Sequence, residues 1–174
     1  MNPRLTTPEI AWLGAGSAVA LLLGLSATIA SAAVADSEQS RAAARIITHI
    51  AGQLASLGSC ASADPPNAVA YRAAATNYHA DDAVKTASDM AEKILAEDAR
   101  RLGRSDQQSA DAESQSEAAV SESLHRAATA DPGRFVAECR DELQHSASHT
   151  GSFAPLDDLF PYEMKLLRSS GSAP

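Results

Sequence analysis

Apolar side chains recur every three or four residues through much of the chain after residue 36, which is the spacing of one face of an α-helix. The clearest stripe lies in residues 37–57, and a second, richer in alanine, lies in residues 83–102. The members of the first stripe are Ile46, Ile47, Ile50, Leu54 and Leu57. This pattern predicts an all-α fold.

Capping residues, prolines and glycines mark where the helices begin and end. Asp36 and Ser105 are each followed three residues later by Gln, as in a capping box. Gly58 and Gly103 follow the two stripes and favour helix ends, and the two prolines in residues 61–67 predict a loop. Predicted helices cover residues 37–57, 66–78 and 83–102, and two more open at Ser105 and at Asp131–Pro132. In the helix predicted over residues 66–78, the spacing places Val69, Ala73 and Ala74 inward.

The composition supports helices and predicts a thin core. Hydrophobic residues reach 45%, much of it alanine, and aromatic residues only 4%. Alanine loses no side-chain entropy in a helix but fills the face of a sheet poorly. Because each buried alanine removes little apolar area from water, the core contributes modestly to stability. We therefore expect a small bundle of four or five helices that is stabilised by a covalent cross-link.

The two cysteines can supply that cross-link. Cys60 follows the first stripe, and Cys139 lies on the apolar face of the predicted helix that opens at Pro132. In an exported protein, two cysteines without a third predict a single disulfide. A redox or metal-binding role is the alternative, but the chain has no C-x-x-C motif. We predict a structural disulfide between Cys60 and Cys139.

Residues 1–35 have the pattern of a signal peptide. Residues 11–35 carry no charge, include the apolar run 19–25, and end in small residues that suit signal peptidase. An uncleaved membrane anchor is the alternative, since about 20 apolar residues can span a bilayer. We expect a periplasmic or secreted protein, or else one anchored in the inner membrane.

The mature chain divides into a helical domain, residues 36–150, and a tail, residues 151–174. The tail concentrates apolar and aromatic side chains, which a solvated tail has no reason to do. We expect it to pack on the bundle, with residues 152–161 as an extended strap and residues 162–168 as a helical turn. The alternative is a docking segment for a partner protein that uses Phe153, Phe160 and Tyr162.

One constellation has the spacing of a metal site. Asp141, His145 and His149 recur at steps of four, so on a continuous helix they form one exposed row. Two histidines at that spacing and a carboxylate can hold a divalent metal. Haem is a further alternative, although the chain has no C-x-x-C-H attachment motif. The plainer interpretation is the polar end of a helix, and we expect no cofactor.

The net charge and the sequence motifs argue against several classes of function. The formal net charge of −8 argues against nucleic acid, whose binding needs clustered Lys and Arg. The chain contains no G-x-S-x-G, no H-E-x-x-H and no glycine-rich phosphate loop, so it offers no enzyme site. We expect an exported, non-enzymatic protein that binds a partner protein or a small ligand. The alternatives are a metal- or haem-binding module and a membrane-anchored helical envelope protein.

Overall fold

The computed structural model of the protein describes residues 37–170, and all secondary structure in that range is helical. The predicted signal peptide and the Asp36 cap lie outside the described residues. Within them, no helix is both long and apolar enough to cross a membrane. The described part forms seven α-helices: α1 (Glu38–Ala63), α2 (Ala68–Ala80), α3 (Asp82–Arg101), α4 (Asp106–Ala130), α5 (Pro132–Ser148), α6 (Leu156–Leu159) and α7 (Pro161–Ser170). The all-α prediction is confirmed. The described residues form more helices than the expected four or five, because two short helices follow residue 155.

Helix α1 is the central element, because it packs against α2, α3, α4, α5 and α7. Its N-cap is Ser37, whose side chain accepts a hydrogen bond from the amide of Ser40. The prediction that it ends at Gly58 is wrong, since α1 continues for five more residues to Ala63. A glycine inside a helix costs about 1 kcal/mol. Burial of Leu57, Cys60 and Ala61 on the same helix offsets that cost.

The loop predicted over residues 61–67 is also wrong, because α1 runs to Ala63 and Pro65–Asn67 form a 3₁₀ helix. The predicted helix starts and the end at Gly103 are confirmed. The Asp81 side chain caps α3, and Gly103 after it has a φ of +66°, a conformation that glycine adopts without strain. Ser105 and Gln108 form the expected capping box at the start of α4. Asp131 caps α5, which opens with Pro132. The capping residues therefore begin α3, α4 and α5 where the sequence predicted.

Two groups of buried side chains form the core. The aliphatic cluster joins α1, α3 and the C-terminal segment, and consists of Ala42, Ala43, Ile46, Ile50, Val84, Ala87, Ala91, Ile94, Leu156, Met164 and Leu167. The disulfide cluster joins the end of α1 to α2, α4 and α5, and consists of Leu57, Cys60, Ala61, Tyr71, Leu124, Phe135, Cys139 and Phe153. Tyr78 packs against both clusters.

The disulfide between Cys60 and Cys139 is confirmed. The bond spans 79 residues of sequence and connects α1 to α5. Both cysteines are almost completely buried, at 1% and 2% exposure. The cross-link therefore belongs to the core, and it joins two helices that lie far apart in the chain.

The predicted inward face of α2 is wrong for Val69 and Ala73, whereas Ala74 is partly buried against the disulfide cluster. Val69 is 79% exposed and Ala73 is exposed, whereas Tyr71 is fully buried. The tyrosine ring removes more apolar area from water than a valine or an alanine can. Its hydroxyl also has a partner, since it donates to Asp64 Oδ2 at 3.3 Å. These two effects together turn α2 so that Tyr71 faces the core.

Residues 151–170 form one short 3₁₀ helix and two short α-helices, where an extended strap was expected over residues 152–161. Leu156, Met164 and Leu167 from this segment are members of the aliphatic cluster. Glu163 is buried and forms an ion pair with Arg45 of α1. The segment therefore supplies part of the core to which α1 and α3 also contribute.

Candidate ligand-binding groove

A groove of about 640 Å³ runs between α2, the start of α3, the end of α5 and the segment that follows α5. Small side chains shape it, because six of the lining residues are alanines: Ala70, Ala73, Ala74, Ala83, Ala147 and Ala154. Larger apolar side chains from the core side complete the lining, among them Tyr78, Leu143 and Phe153. A volume between about 300 and 1,000 Å³ and a mainly apolar lining are typical of small-molecule sites.

Tyr78 and Phe153 meet at the core side of the groove. Their rings pack edge to face, with centroids 5.2 Å apart. The Tyr78 hydroxyl is buried and has no hydrogen-bond partner within residues 37–170. Burial, and secondarily the charge of Asp81, raise the pKa of Tyr78 to about 12. The phenol therefore stays protonated at any physiological pH.

Asp81 brings a carboxylate to the lining of the groove. Its Oδ1 accepts hydrogen bonds from the amides of Ala83, at 2.9 Å, and Val84, at 3.1 Å, and so caps α3. The remaining polar lining residues are Asn77, Tyr78, Ser146 and His149, and no Lys or Arg of the described residues lines the groove. The site thus combines an apolar surface with one fixed negative charge.

The segment that carries Phe153 is held from two sides. His49 of α1 pairs through Nε2 with the Ser152 carbonyl oxygen at 3.0 Å, and Ser152 Oγ donates to Glu142 Oε2 at 3.2 Å. Burial lowers the pKa of His49 and raises the pKa of Glu142. Gly151 has a φ of +56°, and a Cβ there would lie 3.0 Å from the His145 ring. These contacts hold the backbone of residues 151 and 152 in place and so position Phe153.

The predicted metal ligands lie at the end of α5. Asp141 and His145 are on the helix, but α5 ends at Ser148, and His149 is the C-cap with a φ of 52°. Because His149 has left-handed backbone geometry, it does not continue the row that a longer helix would form. Residues 37–170 contain no group of three His, Cys, Asp or Glu side chains that could hold a metal. The metal site stays a prediction.

The three predicted partner-binding aromatics lie in different environments. Phe153 is buried in the disulfide cluster. Phe160 is partly buried and packs edge to face on His49, with centroids 4.9 Å apart. Tyr162 is 54% exposed and donates a hydrogen bond to Glu38 at the start of α1. Of the three, Tyr162 is the most available for contact with another protein.

A buried polar network beside the disulfide was missed by sequence reasoning. Asp64, only 3% exposed, accepts hydrogen bonds from Arg140 Nε at 3.0 Å and Asn67 Nδ2 at 2.9 Å. Tyr71 adds the third bond. Asp64 and Arg140 are 76 residues apart, so no local pattern could pair them. The hydrogen bond from Arg140 is the main reason that the pKa of Asp64 is lowered.

The groove was missed for the same reason. Its walls come from α2, α3, α5 and the segment after α5, and small residues along each helix look like ordinary helix formers in the sequence. No family model, no curated protein and no solved structure matches the chain.

Proposed function

We propose that the protein is an exported, non-enzymatic binding protein whose groove holds a small, largely apolar ligand. The observation that supports this most is the groove itself, with its volume of about 640 Å³ and its alanine-rich lining. An apolar ligand gains free energy from burial against such a surface, at roughly 25 cal/mol per Å² of apolar area.

The rigidity of two walls also supports a binding role. Helix α5 is joined to α1 through Cys60–Cys139, and Asp81 caps α3 where it meets the groove. A site whose walls are already in place loses less conformational entropy when a ligand binds. The Tyr78 hydroxyl adds a donor near the groove that has no partner within the described part of the chain.

The proposed export rests on residues 1–35 and on the disulfide. A buried disulfide is compatible with an oxidising compartment such as the periplasm. The intact mass of protein recovered from its native envelope fraction tests this. Cleavage near Asp36 supports export of a free protein, whereas a full-length chain in the membrane fraction supports the anchored alternative.

Fluorescence of N-phenyl-1-naphthylamine, a neutral apolar probe, tests the groove. The protein is expressed from its full coding sequence and purified in the form that the cell produces. We expect saturable fluorescence enhancement that a blocked groove weakens at least tenfold. The blocked variant is Ala73→Leu with Ala147→Leu, because these exposed alanines line the groove from α2 and α5.

The matched control is Ala96→Leu with Ala118→Leu, which adds the same bulk at exposed helical positions outside the groove lining. The control should bind the probe as the parent protein does. Absence of saturable binding to the parent, or equal binding by the blocked and parent proteins, would overturn the proposed function.

A further inference from the structure

We propose that the groove selects ligands with a positively charged head, such as an amine or a quaternary ammonium group, joined to an apolar body. This inference rests on the proposed function and specifies the class of ligand. Charge complementarity carries it, because the charged and dipolar groups around the groove are predominantly negative.

Asp81 is the first of these groups. One of its oxygens, Oδ1, accepts hydrogen bonds from two α3 amides, while Oδ2 has no hydrogen bond or ion pair within residues 37–170. Asp82 follows it and is exposed. Lys85, the first cation along α3, forms no salt bridge with either carboxylate in the described part of the chain. Within the described residues, neither Asp81 nor Asp82 is therefore held in an ion pair.

The helix ends add to this charge. The last turns of α2 and α5 line the groove through Asn77, Tyr78, Ser146 and Ala147, and α3 begins there. Each helix C-terminus carries roughly half a negative charge and each N-terminus roughly half a positive charge. The Asp81 carboxylate and the two helix C-termini are negative, and only the N-terminus of α3 opposes them.

The field of Asp81 reaches the core side of the groove, because its charge contributes to the raised pKa of Tyr78. A cationic head placed near Asp81 can therefore lie beside the carboxylate while its apolar body lies against Tyr78, Leu143 and the alanines of α2. An anionic head in the same place would be repelled by the Asp81 carboxylate.

Competition between two detergents tests the charge preference. Decyltrimethylammonium and decyl sulfate have the same apolar chain and opposite charges, and each is used below its micelle concentration to displace N-phenyl-1-naphthylamine at pH 8. We expect the cation to displace the probe at about one-tenth of the anion concentration, equivalent to about 1.4 kcal/mol. Far-UV circular dichroism checks that both leave the helices intact.

Asp81→Asn removes the charge but keeps a good helix N-cap, since Asn and Asp cap helices about equally well. We expect it to reduce the tenfold preference to about threefold or less. Asp82→Asn leaves the cap untouched and should reduce the preference less. Asp89→Asn removes an exposed carboxylate of α3 that does not line the groove, and should change nothing.

The outcomes separate the two proposals. If the neutral probe binds in the groove but the anion competes as well as the cation, the charge inference is wrong and the proposed function stands. An unchanged cation preference in both Asp81→Asn and Asp82→Asn would also overturn the inference. If the probe does not bind, or blocking the groove has no effect on it, the proposed function itself fails.

Discussion

The two halves of the core are held together by different means. The disulfide cluster combines a covalent bond with a buried carboxylate network around Asp64, and three of its members are aromatic. The aliphatic cluster has no covalent bond, and it depends on alanine, isoleucine and leucine packing completed by residues 156–167, beside the ion pair of buried Glu163 with Arg45. The groove lies where the halves meet, lined by Phe153 of the first and by Val84 and Leu156 of the second.

This difference indicates how a thin, alanine-rich core can still hold a defined site. In the disulfide cluster, the cross-link adds to aromatic packing by reducing the entropy of the unfolded chain. In the aliphatic cluster, which contains four alanines, the C-terminal segment supplies Leu156, Met164 and Leu167. The two regions should therefore respond differently to reduction, truncation of side chains and acid.

The largest effect is expected from removing the disulfide. Cys60→Ala with Cys139→Ala should lower the free energy of unfolding by about 4 kcal/mol, because the bond closes a loop of roughly 80 residues in the unfolded chain. Urea unfolding measures the loss. Hydrogen exchange should quicken most in α2 and α5, and least where α1 packs on α3. Hydrogen exchange that becomes equally faster in all helices would contradict the division into two regions.

Truncation in the aliphatic cluster should have the next largest effect. Leu167→Ala should lower the free energy of unfolding by about 3 kcal/mol, because Leu167 is 1% exposed and a cavity would remain. Lys165→Ala, two residues away and exposed, is the matched control and should change it by less than about 0.5 kcal/mol. Thermal melting compares the variants; equal effects would mean that α7 does not help to stabilise the core.

Acid should weaken the Asp64 network more than the exposed Asp157–Arg168 pair. The Arg140 hydrogen bond, followed by that of Asn67, lowers the pKa of Asp64 below its ordinary 3.8. The folded state then binds fewer protons than the unfolded state, so this stabilisation is present above about pH 4 and is lost as pH falls through the folded pKa. Asp64→Asn should therefore destabilise at pH 7 and have little effect near pH 2.

Urea unfolding from pH 2 to pH 7 measures this dependence, with Asp157→Asn as the comparison. Arg168 lowers the pKa of Asp157 too, but both side chains are 54% exposed and solvent screens their interaction. A pH-independent effect of Asp64→Asn would show that its charge does not stabilise the fold.

The smallest effect is expected at Tyr78, which packs against both clusters. Its hydroxyl is buried without a hydrogen-bond partner in the described part of the chain. Removing an unsatisfied polar group removes its desolvation cost, so Tyr78→Phe should raise the free energy of unfolding by about 1 kcal/mol. Thermal melting at pH 7 measures it. A marked destabilisation would indicate that the hydroxyl has a partner, such as an ordered water.

Much of the local structure could be predicted from the sequence, because capping depends on residues within four positions of one another. Asp81, Ser105 and Asp131 each bond to amides two or three residues later. The error at Gly58 has a different cause. Its local preference for a helix end competes with burial of Cys60 and Ala61, a tertiary effect that the local pattern does not contain.

The sequence by itself determined the all-α class, most helix boundaries and the pairing of the only two cysteines, since each follows from local spacing or from a count. Only the tertiary structure decided which face of α2 is buried, which carboxylate meets Arg140, and where a groove remains. The Asp64–Arg140 pair and the groove depend on side chains more than 70 residues apart and on how well small alanines fill the space between helices. Packing and electrostatic energies depend on distances in space, and the order of residues along the chain does not give those distances directly.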